Sequence, residues 1–173
     1  FDFKPPGIHA VYALAALFTP GALWLPRLFD LAARLLGIAA LFRLMQPSGR
    51  RAAASAGAHL GLAYRACFRY WDYAQPEIFL MALLLWSLVL YRDGERAGAL
   101  AAGACLGAAF LMKYTAALYL PLYWMLARRE SHGSKGSRGA ALALGATLPV
   151  LAAVIYLAAG RALAPFLEIQ TAY

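Results

Sequence analysis

Residues 99–114 read ALAAGACLGAAFLMKY, and this stretch decides how the chain folds. Ala99, Gly103 and Gly107 recur every four residues, so on a helix they lie on one face. A face of small residues allows a neighbouring helix to approach closely, as is common between helices within a membrane. The stretch therefore predicts an apolar helix that packs tightly against another helix.

Lys113 separates two apolar runs, Ala97–Met112 and Tyr114–Ala127. Each run is shorter than the roughly 20 apolar residues that a membrane-spanning helix needs. A hairpin of two helices with Lys113 at its tip fits both the lengths and the position of the charge. One bent helix is the alternative.

The composition indicates lipid rather than water as the solvent. Hydrophobic residues make up 63% of the 173 residues, charged residues only 14%, and the mean hydropathy is +0.61. Soluble domains carry about 25% charged and about 45–50% apolar residues. A soluble core of this size cannot bury so much apolar surface, so we expect a membrane protein.

The basic residues give a net charge of +8 but form no single patch interleaved with aromatic residues, which argues against nucleic acid as a partner. They gather in short clusters between apolar segments, which is typical of cytoplasmic loops under the positive-inside rule. The clusters are Arg43, Arg50 and Arg51; Arg92 and Arg96; and Arg128, Arg129, Lys135 and Arg138.

These patterns predict an all-α fold, a polytopic transmembrane helix bundle with about six spanning segments and one interfacial helix, in one domain over 1–173. The interfacial helix is Pro5–Phe18; a spanning helix that continues through Thr19-Pro20-Gly21 is the alternative. The expected crossings are Ala22–Met45, Ala52–Phe68, Ile78–Tyr91, the two arms of the hairpin, and Gly139–Gly160.

Three of the charges inside the first expected crossing lie close together in the sequence. Arg27, Asp30 and Arg34 are spaced by three and four residues, so they share one helical face. That face is directed either into the interior of the bundle or towards the headgroups, where the side chains snorkel. The sequence leaves both interpretations open.

If the basic clusters are cytoplasmic, the alternation of spans brings Lys4, residues 69–77, Lys113 and the tail 161–173 to the opposite, outer face. Lysine and arginine at a lipid–water boundary suit a lipid-linked phosphate, and a carboxylate can act as general base for an attacking hydroxyl. Arg69 is thus a candidate substrate-binding residue and Asp72 a candidate catalytic residue; a simple ion pair between the two is the alternative.

Three motifs carry a resemblance to a known family. FDFKPPG (1–7) with LPRL (25–28) resembles the "KPP…RL" block of GT-C polytopic membrane glycosyltransferases, in the superfamily of protein-O-mannosyltransferases and aminoarabinose transferases (glycosyltransferase family 39-like). AQPEIFL (74–80) resembles the acidic motif that opens a membrane helix in this family. Residues 99–114 resemble its hairpin, which ends in lysine. The motifs occur in the family's order, and the resemblance covers essentially the whole chain.

The resemblance implies an integral membrane enzyme of the inner (plasma) membrane, with several spans and membrane lipids around it. Its donor would be a polyprenyl-phosphate-linked sugar, and its acceptor a lipid, glycan or protein on the non-cytoplasmic face. Lys4 would contact the donor phosphate and Lys113 would also bind substrate, whereas Glu77 would be the catalytic carboxylate of the acidic motif. The alternatives are a lysine that anchors to headgroups for Lys4, a snorkelling lysine for Lys113, and a helix cap or dipole partner for Glu77.

Two departures from the family pattern limit these expectations. The main general base is expected in an acidic pair upstream of Phe1, and the C-terminal part of the family's domain is expected beyond Tyr173. Phe3 precedes Lys4 where some relatives have an acidic metal ligand, so we predict no metal site within these residues; a divalent metal in a full-length protein stays open. The rival interpretations are a transporter or flippase component, which would have broken helices with polar residues at the midplane, and a non-catalytic membrane scaffold.

Overall fold

The computed structural model describes residues 5–18, 24–67, 75–129 and 135–171. Within these ranges the regular secondary structure is helical throughout, with no strand, which confirms the all-α fold class. The α-helices are α1 (Pro6–Phe18), α2 (Trp24–Met45), α3 (Arg50–Cys67), α4 (Pro76–Asp93), α5 (Arg96–Met112), α6 (Leu120–Arg129), α7 (Lys135–Ala159) and α8 (Leu163–Thr171). Short 3₁₀ helices span Gln46–Ser48 and Tyr114–Tyr119.

Helices α2 and α3 form an antiparallel pair. A β-carbon built on Gly57 or Gly61 lies 3.4 Å from the Ile38 side chain, so the small-residue face of α3 contacts the middle of α2. In the middle of α2, Arg34 Nη1 donates a hydrogen bond of 3.2 Å to the carbonyl of Tyr64, close to the end of α3.

Helix α4 runs beside α2 in the same direction. Ala33, near the middle of α2, and Ile78, near the start of α4, belong to one buried cluster, and Arg43 pairs with Asp93 at 3.0 Å near the ends of both helices. The predicted alternation of direction therefore holds from α2 to α4.

Helix α5 runs back along α4, and the chain reverses again at Lys113. Ser87 Oγ donates a hydrogen bond of 2.6 Å to the carbonyl of Ala102 between the two helices. Lys113 is extended (φ −159°, ψ 128°) and ends α5, and the ring of Tyr123 then contacts that of Tyr91 edge-on with a centroid distance of 5.8 Å. Because Tyr91 lies at the far end of α4, this contact confirms the hairpin rather than one bent helix.

The small-residue face of α5 lies against α7, as the spacing of Ala99, Gly103 and Gly107 predicts. A β-carbon on Gly103 would overlap the carbonyl of Leu142, and one on Gly107 would overlap that of Ala146. Residue numbers increase together along the contact, so α5 and α7 run in the same direction. Because α5 and α7 are parallel, the chain between them must return along the bundle, and it does so in α6.

The alternating directions give the bundle two ends. We call the end that carries Arg43, Arg92, Arg96 and Arg138 the arginine end. The opposite end, at the tip of the α5–α6 hairpin, carries Lys113 and is called the lysine end.

Three arginines bind the last carbonyls of a neighbouring helix. Such carbonyls have no partner within their own helix. Besides Arg34 at the end of α3, Arg92 Nη1 donates to Leu44 O at 2.9 Å near the end of α2, and Arg138 donates to the carbonyl of Tyr91 near the end of α4. Each guanidinium also places positive charge at the negative end of a helix dipole, which ties pairs of helices together.

Two of the three charges on this face of α2 are directed into the bundle, which favours the first of the two interpretations left open by the sequence for these two residues. Asp30 is 1% exposed and accepts a hydrogen bond of 2.8 Å from Arg34 Nε. The Arg34 guanidinium also lies over the ring of Tyr64, 5.5 Å from its centroid. Asp30 and Arg34 therefore form an interior ion pair, while Arg27 is exposed.

One described helical segment, Ser137–Ala159, is long and apolar enough to cross a membrane by length and composition. Helices α1 and α5 are apolar but have only 13 and 17 residues. Helix α4 has 18 residues but includes Glu77, Arg92 and Asp93. The alternation fits a polytopic bundle, whereas six spans and an interfacial position for α1 stay predictions.

Candidate functional site

Glu77 and Lys113 form an ion pair at the lysine end. Lys113 Nζ donates a hydrogen bond of 2.7 Å to Glu77 Oε1, and the two side chains are 42% and 41% exposed. The pair joins the first turn of α4 to the tip of the hairpin. It is open enough to water for a ligand to reach either group.

Local sequence positions both partners. Pro76 occupies the first turn of α4, where its missing N–H leaves no helical hydrogen bond unmade, and Glu77 follows at the positive end of the helix dipole. Ile78 is fully buried, which holds this turn against α2. Lys113 leaves the helical conformation just after Met112, so its side chain emerges from the end of the bundle.

Helix α1 begins against the same end of α5. A β-carbon on Gly7 would lie 2.7 Å from the carbonyl oxygen of Leu111, so only glycine permits this approach. Pro5 is buried and Ile8 is 1% exposed. The Pro-Pro-Gly segment therefore contacts the residues that lead into Lys113.

Three of the predicted site residues lie outside the described residues: Lys4, Arg69 and Asp72. Of the site residues predicted from sequence, the structure thus brings together Glu77 and Lys113. Lys4 immediately precedes the buried Pro5. The roles of Lys4, Arg69 and Asp72 stay predictions.

An apolar cavity of about 370 Å³ opens below the Lys113 turn, between α5, the 3₁₀ helix Tyr114–Tyr119 and α7. Sequence reasoning missed this cavity, because nothing in the spacing of residues shows which helix faces α5. Its wall is almost entirely hydrocarbon. The lining residues are Leu106, Gly107, Phe110, Ala116, Ala117, Leu120, Ala146, Thr147, Val150 and Leu151.

The arrangement can hold an amphiphile with an anionic head. Lysine is a compact point charge that binds phosphate, and an apolar cavity lined by Phe110 and Ala116, on either side of Lys113 in the sequence, can take hydrocarbon. In the described ranges no three His, Cys, Asp or Glu side chains are grouped as a metal site. At the lysine end, the described side chains offer a cation, a carboxylate and hydrocarbon surface.

Such an all-helical bundle, apolar in composition and with most of its charges near helix ends, is of the membrane-protein class. Residues 3–158 match the family model described as dolichyl-phosphate-mannose-protein mannosyltransferase, and the chain belongs to this family. It is therefore a GT-C glycosyltransferase-like membrane protein, which confirms the resemblance found in the motifs. No curated protein and no solved structure matches the chain.

Proposed function

We propose that the protein transfers a sugar from a polyprenyl-phosphate-linked donor to a lipid, glycan or protein acceptor. The observation that carries this proposal is the Lys113–Glu77 pair at the lysine end, together with an apolar cavity lined by residues on both sides of Lys113 in the sequence, in a chain of a mannosyltransferase family. Membership of the family supports glycosyl transfer. The pair and the cavity support a donor with a phosphate next to hydrocarbon.

Donor binding begins with exchange of the ion pair. The donor phosphate takes the place of the Glu77 carboxylate as the partner of Lys113, while the first part of the prenyl chain enters the cavity below. Lys4 and Arg69 are the further cations proposed to contact the phosphate. The exchange is inexpensive because a half-exposed ion pair contributes only about 0–1 kcal/mol.

After the exchange Glu77 Oε1 no longer accepts the hydrogen bond from Lys113 and can accept one from a hydroxyl. In the proposed reaction the acceptor oxygen forms a bond to the anomeric carbon and the bond from that carbon to the phosphate oxygen breaks. The electron pair leaves with the polyprenyl phosphate, the configuration inverts, and the hydroxyl proton passes to a carboxylate. Glu77 and Asp72 are the candidates within this chain, beside the main base expected upstream of Phe1.

The proposed orientation follows from the two ends of the bundle. Under the positive-inside rule the arginine end faces the cytoplasm, so the lysine end and sugar transfer lie on the non-cytoplasmic side. We propose several spans, about six, in the inner (plasma) membrane. A cysteine introduced beside Lys113 tests this orientation. A membrane-impermeant thiol reagent added from the outside should label it.

Sugar transfer by the full-length protein from defined polyprenyl-phospho-sugars tests the function. Lys113→Ala should lower kcat/KM by about tenfold to a hundredfold, the range expected for loss of a hydrogen bond to a charged group. Lys135→Ala, at the start of α7 and the arginine end, is the matched control and should leave transfer unchanged. Glu95→Gln is the corresponding control for Glu77→Gln.

Two results would contradict the proposal. If wild-type protein transfers no sugar from any polyprenyl-phospho-sugar, the proposed function is wrong. If the wild type is active and both Lys113→Ala and Glu77→Gln retain full transfer, the assignment of the site is wrong.

A further inference from the structure

A groove of about 470 Å³ lies towards the arginine end, between the first turn of α5 and residues 140–144 of α7. It is at the opposite end of these two helices from the Lys113–Glu77 pair. Apart from one arginine its walls are apolar. The lining residues are Arg96, Ala97, Leu100, Ala140, Ala141 and Leu144.

The glycine contacts between the two helices explain why a groove forms here. The backbones touch where Gly145 meets the carbonyl of Leu100 and where Gly103 meets that of Leu142. Nearer the arginine end the two helices carry Ala97 and Ala140 instead of glycines in backbone contact, and the groove opens between them. Leu100 and Leu144 form its inner walls, and the apolar cavity near Lys113 opens on the other side of the same contact.

Arg96 lies at the mouth of the groove and differs from the arginines around it. Arg92 is bound to Asp93 and to carbonyls of α2, and Arg138 is bound to the carbonyl of Tyr91. Arg96 is exposed, and no hydrogen bond or ion pair joins it to another residue in the described part of the chain. Its guanidinium is therefore available to an external anion.

We infer that this groove binds an anionic glycerophospholipid. The phosphate contacts Arg96, and one acyl chain lies between Leu100 and Leu144. A lipid fits better than a soluble anion because the groove continues from the cation into hydrocarbon walls. One of these walls belongs to α7, whose segment Ser137–Ala159 is apolar and long enough to span, and in its most apolar 18-residue window only 11% of the residues are buried, so the groove opens onto the surface expected to face lipid.

The inference can be tested with the full-length protein in nanodiscs of phosphatidylcholine. A trace of phospholipid with a photoreactive acyl chain is added, either as phosphatidylglycerol or as phosphatidylcholine, and labelled peptides are mapped by mass spectrometry. We expect the anionic probe to label residues 97–100 and 140–144 about fivefold more than the neutral probe, the preference that one arginine gives at a membrane surface.

Two variants locate the headgroup and the chain. Arg96→Gln should remove the preference for the anionic probe, whereas Arg51→Gln, an exposed arginine at the start of α3, should retain it. Leu144→Trp fills the groove and should abolish labelling by both probes at 97–100. Circular dichroism of each variant establishes that the helices are intact.

Equal labelling by the two probes in wild-type protein would overturn the inference. So would retention of the anionic preference in Arg96→Gln, or labelling of α5 and α7 that Leu144→Trp leaves unchanged. Absence of labelling by either probe would show that another part of the protein, rather than lipid, fills the groove.

Discussion

Lys113 Nζ and Glu77 Oε1 lie 2.7 Å apart although 36 residues separate them in the sequence. The contact exists because α4 and α5 are antiparallel and Ser87 is bonded to Ala102 at mid-length. The same geometry that pairs the two charges also places them at one end of the bundle, beside the start of α1. Ordinary helix packing therefore brings the two charges of the proposed site together.

Exchange of the two charges distinguishes a structural pair from a substrate site. Glu77→Lys with Lys113→Glu retains an ion pair, so the thermal unfolding temperature in detergent should change little relative to wild type. Sugar transfer should stay about tenfold or more below wild type, because the cation has moved away from the proposed position of the phosphate. Recovery of transfer by the exchanged protein would show that the pair acts only by holding the helices together.

Much of the hairpin could be predicted from the sequence because its signals are local. The two apolar runs on either side of Lys113 indicate a reversal, and the spacing of Ala99, Gly103 and Gly107 indicates a contact face. Which helix meets that face depends on long-range register. The sequence therefore predicts the stripe but does not identify α7 as its partner.

The roles of the arginines could not be predicted for the same reason. Arg92 and Arg138 follow the positive-inside pattern in the sequence, yet in the fold they bind carbonyls at the ends of α2 and α4. The sequence around Arg34 likewise fits a side chain that snorkels towards the headgroups. Only the position of α3 shows that this arginine binds a carbonyl. A charge at a helix end has the same signature in sequence whether it faces water or a carbonyl.

Removal of a carbonyl-binding arginine should destabilise the bundle. Arg92→Gln loses bonds to Leu44 O and Arg43 O and the ion pair with Asp93, so we expect a loss of about 1 kcal/mol in the free energy of unfolding. Arg51→Gln, at an exposed position, should change it by less than about 0.5 kcal/mol. Equal effects of the two substitutions in chemical unfolding would contradict a capping role.

The same cluster should make stability depend on pH. The hydrogen bond from Arg92, with a further contribution from Arg43, holds the pKa of the Asp93 carboxyl below its ordinary value. The folded state therefore binds this proton less readily than the unfolded state, so the stabilisation is present above about pH 4 and is lost as the pH falls below that value. In Asp93→Asn this part of the acid dependence should disappear. An unchanged acid profile in that variant would assign the dependence to other groups.

The turn after α7 contains a residue in an unfavourable backbone conformation. Arg161 has φ 54° and occupies the position after the helix where glycine is usual, and Ala162 N–H bonds to Leu157 O at 2.8 Å. Arg161→Gly should raise the unfolding free energy by up to about 1 kcal/mol, since the left-handed conformation no longer has a steric cost. Arg161→Val should lower it, and the opposite order would show that the side chain of Arg161 stabilises the turn.

Two glycines of α7 provide a matched test of the contact between α5 and α7. A β-carbon on Gly145 would overlap the carbonyl of Leu100, whereas one on Gly139 meets nothing within 4 Å. Gly145→Ala should therefore destabilise the protein by about 1–3 kcal/mol, because two backbones must separate. Gly139→Ala should stabilise it by about 0.5–1 kcal/mol through its higher helix propensity. Because both are the same substitution in the same helix, opposite signs in the unfolding free energy can arise only from the contact with α5, and like signs would mean that the two helices do not meet at Gly145.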